Sequence, residues 1–175
     1  MASSDTETAL LVEVPAAEPH VAQYRSELDS NAALGIPAHV TVLAPFAPAG
    51  RLDGSMLATL ERLFAAIRSF DVHVDRTSWF GTSVLWLAPR DPRPFRNLTD
   101  RVFEAFPQFP PFEGRHENVV PHLTVGHGRP LPELQRAEEA IEPTLPISAL
   151  VSAVSLMTEL TSGGRWVRSA VFPLA

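Results

Sequence analysis

The segments His39-Val40-Thr41-Val42 and His122-Leu123-Thr124-Val125 repeat one pattern in the two halves of the chain. Each reads as a β-strand, on which residues i and i+2 point to one face and i+1 and i+3 to the other. His and Thr therefore share a face in each copy. Val40 with Val42, and Leu123 with Val125, supply the apolar face that a sheet packs onto a core. Any fold for this chain must carry two strands of the same sidedness, each displaying an imidazole and a hydroxyl from a rigid support.

The rest of the chain alternates strands and helices around these two segments. Residues 9–14 read as a strand, 21–29 as a short helix or irregular link, and 38–43 as the first motif strand. In 55–69, Leu57, Leu60, Leu63, Phe64 and Ile67 recur at helical spacing, with Ser55 a candidate cap. Strands follow at 70–74 and 83–88. Leu98, Val102, Phe103 and Phe106 form one stripe of a helix over 95–106, and 107–118 is a loop. The second motif strand, 122–126, leads to a helix over 132–142 with Pro132 at its start. Two final strands, 149–158 and 165–172, are joined by a hairpin turn at 161–164.

With 45% hydrophobic residues, the 175-residue chain can bury one good core, and residues 1–175 read as a single domain with a flexible start over 1–7. It has no cysteine, which removes disulfides, thiolate metal sites and a cysteine nucleophile. No stretch approaches the ~18 apolar residues of a membrane span. The N-terminus lacks the basic region and apolar run of a secretory signal, so the expected location is cytoplasmic and no membrane partner is expected. The net charge is −6, and all 14 basic residues are arginines. An acidic chain suits small substrates or RNA ends better than long nucleic acid, although local arginine clusters can still make a basic cleft.

Paired His-x-Thr strands about half a domain apart resemble the two-histidine (2H) phosphoesterase superfamily, which includes 2′-5′ RNA ligase-like proteins and cyclic phosphodiesterases. Pro45-Phe46 closes the first motif as in the family's HxTxxxPF form, and Pro121 precedes the second histidine. The stretch Phe109-Pro110-Pro111-Phe112-Glu113-Gly114 and the late Gly164-Arg165-Trp166 are also similar to family segments. The resemblance spans roughly residues 8 to 174. It implies an α+β fold of two duplicated lobes, each an antiparallel sheet with outer helices, related by a pseudo-twofold and sharing a central cleft to which each contributes one His-x-Thr.

Two histidines on opposite walls suit phosphodiester cleavage. In-line attack needs a base for the incoming water and an acid for the leaving oxygen, and imidazole titrates near neutrality, so one ring can serve each role. A threonine hydroxyl beside each histidine can donate to a non-bridging phosphate oxygen. The expected catalytic residues are thus His39, Thr41, His122 and Thr124, with either histidine able to act as base. No cofactor or metal is expected: a metal reading of His122, Thr124 and His127 lacks an HExxH pattern, cysteines and nearby carboxylates at ligand spacing.

For substrate contacts the candidates are Phe46, Phe112, Arg115, Arg165, Trp166 and His127, since aromatic rings stack on bases and arginines reach phosphate. Phe46 and Trp166 read equally well as core. In the bacterial 2′-5′ RNA ligase branch an arginine often stands five positions after the second histidine; here that position is His127. An odd offset on a strand turns His127 away from His122, unless Gly126 and Gly128 bend the chain first. This departure bears on ligase-type activity more than on phosphoesterase chemistry. The expected function is a metal-independent phosphoesterase acting on 2′,3′-cyclic phosphates or 2′-5′ phosphodiesters of nucleotides or RNA ends, as a monomer without a protein partner. The alternatives are a nucleotide- or RNA-binding module without turnover, and a specialised 2H enzyme for a cyclic dinucleotide or another small phosphodiester.

Overall fold

The computed structural model describes residues 6–114 and 118–175. Its strands are β1 (Thr8–Glu13), β2 (His39–Leu43), β3 (Phe70–Phe80), β4 (Val84–Pro89), β5 (Leu123–His127), β6 (Ile147–Val151), β7 (Ala153–Glu159) and β8 (Trp166–Pro173). Its α-helices are α1 (Glu18–Leu28), α2 (Ser30–Ala33), α3 (Gly54–Ala65), α4 (Arg93–Ala105) and α5 (Leu131–Ile141). The strands form two antiparallel four-stranded sheets, ordered β2-β1-β7-β8 and β5-β4-β3-β6. Both motif strands are outer strands, and β2 lies against β5. The two sheets therefore meet at the strands that carry the His-Thr pairs.

The α+β fold repeats a strand-helix-strand unit, β1-α1-β2 in one half and β4-α4-β5 in the other, and the two strands of each unit pair antiparallel. Each unit's helix packs on the other unit's motif strand, α1 on β5 and α4 on β2. The helices do so because each has one apolar stripe. Phe95, Leu98, Thr99 and Val102 are the buried residues of α4, and Val21, Arg25 and Leu28 those of α1. The Thr99 hydroxyl donates to the Val42 carbonyl at 2.6 Å, satisfying a backbone acceptor of β2 from the opposite half. One apolar core, including Leu10, Leu43, Phe64, Leu85, Phe95 and Leu123, runs through both sheets.

Gly126 shows how closely the helices approach β5. A Cβ there would stand 2.5 Å from Leu134 Cδ2 on α5 and 2.9 Å from Leu28 Cβ on α1. Gly126→Ala is accordingly expected to destabilise the protein by about 1–3 kcal/mol through overpacking. Thermal melting checks this, and an unchanged midpoint contradicts so tight a contact.

Several boundaries differ from the sequence expectation. The helix over 55–69 begins earlier, at Gly54, because Asp53 rather than Ser55 is its N-cap and accepts from the Met56 N–H at 2.8 Å. The strand at 70–74 runs on to Phe80 past a register shift between Val74 and Arg76, which obscures its alternation. The segment 149–158 is two strands: β6 pairs with β3 in one sheet, and after Ser152 the chain crosses to pair with β1 and β8 in the other. Alternation reports which side chains face inward and carries no information about which sheet they join. Of the start expected to be flexible, residues 1–5 lie outside the described residues. Thr6 is fully buried, and the Glu7 N–H donates to Glu159 Oε2 at 3.1 Å. Among the described residues no helix is long and apolar enough to cross a membrane.

Candidate active site

Each motif strand carries a β-bulge at the same place. On β2, Thr41 pairs with Leu11 and Leu43 with Leu10, leaving Val42 as the extra residue. On β5, Thr124 pairs with Trp86 and Gly126 with Leu85, leaving Val125 extra. A bulge flips the sidedness of everything after it. Thr124 pairs with Trp86 and His127 with Val84, two residues apart on β4, so Thr124 and His127 share a face. The odd offset that would have turned His127 away is thus cancelled. His122, Thr124 and His127 line one cavity of about 550 Å³ together with Asp29, Asn31, Phe80, Val84 and Phe112. A second cavity of about 560 Å³, lined by Arg96, Asp100 and Phe103, contains neither motif histidine.

The two motif histidines are held by the same device. His39 Nδ1 lies 2.7 Å from the Pro37 carbonyl oxygen, and His122 Nδ1 lies 2.7 Å from that of Val120. A carbonyl only accepts, so Nδ1 carries the proton in each ring, and in the neutral form Nε2 is left as the free base. Neither Nε2, nor the hydroxyls of Thr41 and Thr124, has a hydrogen-bond partner among the described residues.

Burial pushes the His39 imidazole down to about 4, helped by the positive charge of Arg25 and by His122, and opposed by the Pro37 carbonyl and Asp29. That His122 acts on His39 at all reflects the adjacency of the two strands. Burial also pushes His122 below its ordinary 6.5, against the Val120 carbonyl. The His122 ring meets Phe80 edge-on at 5.0 Å and Trp86 at 5.8 Å, and Phe80 stacks on Trp86 at 4.7 Å. Phe80 was missed from sequence because it lies in the extension of β3, where the alternation is broken.

Beneath His39 lies a buried ion pair. Arg25 Nη2 is 3.0 Å from Asp29 Oδ2, with both side chains at most 3% exposed. The same Nη2 donates to the Ile36 carbonyl at 3.1 Å, and Asp29 Oδ1 accepts from the Asn31 N–H at 3.0 Å. Arg25 thereby ties α1 to the segment whose Pro37 carbonyl orients His39.

The remaining expected contacts divide. Phe112 lines the cavity, and its N–H donates to the Ala44 carbonyl at 2.9 Å, joining this loop to the end of β2. Phe112 and Glu113 have φ of +49° and +54°, left-handed backbone that is strained for non-glycine residues and tends to cluster at functional sites. Phe46, which read equally as core or ligand wall, is a core ring at 3% exposure, edge-on to Phe106 and Phe109, and does not line the His122 cavity. Trp166 packs with Leu11, Ile36 and Met157 on the His39 side, and exposed Arg165 lies against Gly35; neither lines the His122 cavity. Arg115 lies outside the described residues. Among the described residues no three His, Asp or Glu side chains converge as a metal site.

Residues 13–163 match the family model of the 2′-5′ RNA ligase superfamily. Solved structures with a similar fold include Escherichia coli LigT complexed with NADP+, at TM-score 0.61 and 19% identity over 99% of each chain. LigT complexed with 3′-AMP gives 0.60 and 17%, over 97% of this chain and 98% of that one. TT0787 of Thermus thermophilus gives 0.61 and 18%, over 96% and 97%. No curated protein matches the chain by sequence.

Proposed function

The chain belongs to the 2′-5′ RNA ligase superfamily, and on that premise we propose that it is a phosphoesterase hydrolysing 2′,3′-cyclic phosphates or 2′-5′ phosphodiesters of nucleotides or RNA ends. The observation that carries this reading is the matched pair of imidazoles on abutting strands, each with Nδ1 committed to a carbonyl and Nε2 free. With a cyclic phosphate between them, one Nε2 takes a proton from water as its oxygen bonds to phosphorus. The other, protonated, gives its proton to the ribose oxygen as the P–O bond breaks, leaving a phosphomonoester. Thr41 and Thr124 donate to non-bridging oxygens and hold phosphorus in line. His127 and Phe112 border the bound nucleotide. A similarly folded protein, LigT, has been crystallised with 3′-AMP, NADP+ and ATP, which supports a nucleotide in the corresponding cleft.

Both proton transfers are supplied by the histidines, so no metal is required. Turnover of 2′,3′-cyclic nucleotides, 2′-5′ dinucleotides or cyclic-phosphate RNA ends in the presence of EDTA is the test. Silence across this panel, with nucleotides still binding, would replace the enzyme by a binding module.

The pH dependence follows from the two rings. Below about 4 both are protonated and no base remains; above the His122 value, itself below 6.5, both are neutral and no acid remains. The pair titrates as a unit. The expected kcat/KM profile is a bell whose two limbs both lie on the acid side of neutrality. An alkaline optimum would contradict this environment for the histidines.

A further inference from the structure

Strand register places a second polar group on the face of the first sheet that carries His39 and Thr41. Glu13 pairs with His39 and Leu11 with Thr41; Leu11 also pairs with Ser155 on β7, and Met157, two residues on, pairs with Arg168 on β8. Directly paired residues and residues two apart share a face, so Glu13, Ser155 and Arg168 meet there. Glu13 Oε1 accepts from Ser155 Oγ at 2.7 Å and from Arg168 Nε at 2.7 Å, and Oε2 accepts from Arg168 Nη2 at 2.7 Å. The arginine reaches back across β7 to β1 and is clamped there by two parallel bonds.

Two consequences follow. Strands are about 4.8 Å apart, so the guanidinium stands one to two strand spacings from the His39 backbone, a separation that a ribose bridges between a phosphate and its base. Only two of its five N–H groups are used. The two on Nη1 and the second on Nη2 make no bond among the described residues, and the side chain is 54% exposed. The outer edge is thus a fork of paired donors with fixed orientation.

Glu13 cancels the charge of Arg168, so the pair draws a second phosphate only weakly while keeping its directionality. What fits is a neutral group with two adjacent acceptors. Guanine offers O6 and N7 in that arrangement, adenine sets a donor beside N7, and uracil alternates acceptor and donor. Trp166, two residues before Arg168, lies on the same face of the sheet.

We propose that Arg168, clamped by Glu13, is a specificity-determining residue that reads the O6/N7 edge of guanine in the nucleotide whose phosphate lies at His39. The proposal rests on the phosphoesterase reading for the position of that phosphate. The test is kcat/KM for the 2′,3′-cyclic phosphates of all four nucleosides with wild type, Arg168→Ala and Arg168→Lys. Wild type should favour guanosine over uridine by roughly ten-fold or more, and both variants should bring guanosine down towards the other bases. Lysine keeps the charge but loses the fork, so its failure to rescue separates reading from attraction. No guanosine preference in wild type, a preference that survives Arg168→Ala, or an equal loss for all four bases would overturn the proposal. If no cyclic nucleotide is turned over, which sinks the phosphoesterase reading only when 2′-5′ dinucleotides and cyclic-phosphate RNA ends are silent too, calorimetric titration of wild type and Arg168→Ala with 3′-GMP and 3′-AMP decides the fork. Tighter 3′-GMP binding that Arg168→Ala abolishes supports it; equal binding, or none, overturns it.

Discussion

Replacing either His39 or His122 by alanine should lower kcat on a 2′,3′-cyclic nucleotide by about 10²–10⁴, the usual worth of one positioned acid or base. The loss should fall on kcat more than on KM, because the hydroxyls of Thr41 and Thr124 and the cavity wall of Phe80, Phe112 and His127 remain to hold substrate. The double variant should be little worse than either single one, since groups that act on one transition state are not additive. His122 sits at a cavity wall and His39 is only partly buried, so circular dichroism should show both variants folded. A variant of either histidine that retains near wild-type kcat would remove the two-histidine mechanism.

The largest stability effect should come from Arg25→Ala. It leaves the Asp29 carboxylate, 2% exposed, without its cation, and orphaning a buried charge costs about 3–5 kcal/mol. For a chain of this length that corresponds to a fall in Tm of roughly 10 °C. Exchanging both partners for apolar residues, Arg25→Met with Asp29→Leu, should recover much of that loss, because the expense lies in the unpaired charge rather than in the missing bond. There is also a signature on catalysis. Arg25 depresses His39, so its removal should raise the His39 pKa and shift the acid limb of the kcat/KM profile to higher pH. Equal melting of Arg25→Ala and wild type would mean that Arg25 does not hold α1 to the segment at Ile36.

The parts legible in sequence were those written in local periodicity. Period-two alternation in His39–Leu43 and around Leu123 marked both motif strands, and which face their histidines would share, without reference to any other segment. Helical spacing found α3 and α4, and a proline start found α5; in the α4 stripe Leu98 and Val102 are buried as expected, whereas Phe103 is exposed and Phe106 lies just past the helix end. The resemblance to the 2H phosphoesterases then supplied the two-lobed plan, which periodicity alone could not.

Everything that depends on which strand lies beside which escaped it. The bulges at Val42 and Val125 are visible only against β1 and β4, yet the second one decides that His127 shares the cavity. Phe46 looked the same as core or as ligand wall until Phe106 and Phe109 closed around it. The run through 149–158 showed its alternation plainly and concealed that it serves two sheets. Arg168 and Glu13 are far apart in the chain and meet only because β7 lies between their strands. A side chain's inward or outward sense is a property of its own few residues, whereas its neighbours across a sheet are set by pairing register. The chemistry proposed for this chain could therefore be read from two short motifs, while the shape of the pocket around those motifs required the packed sheets.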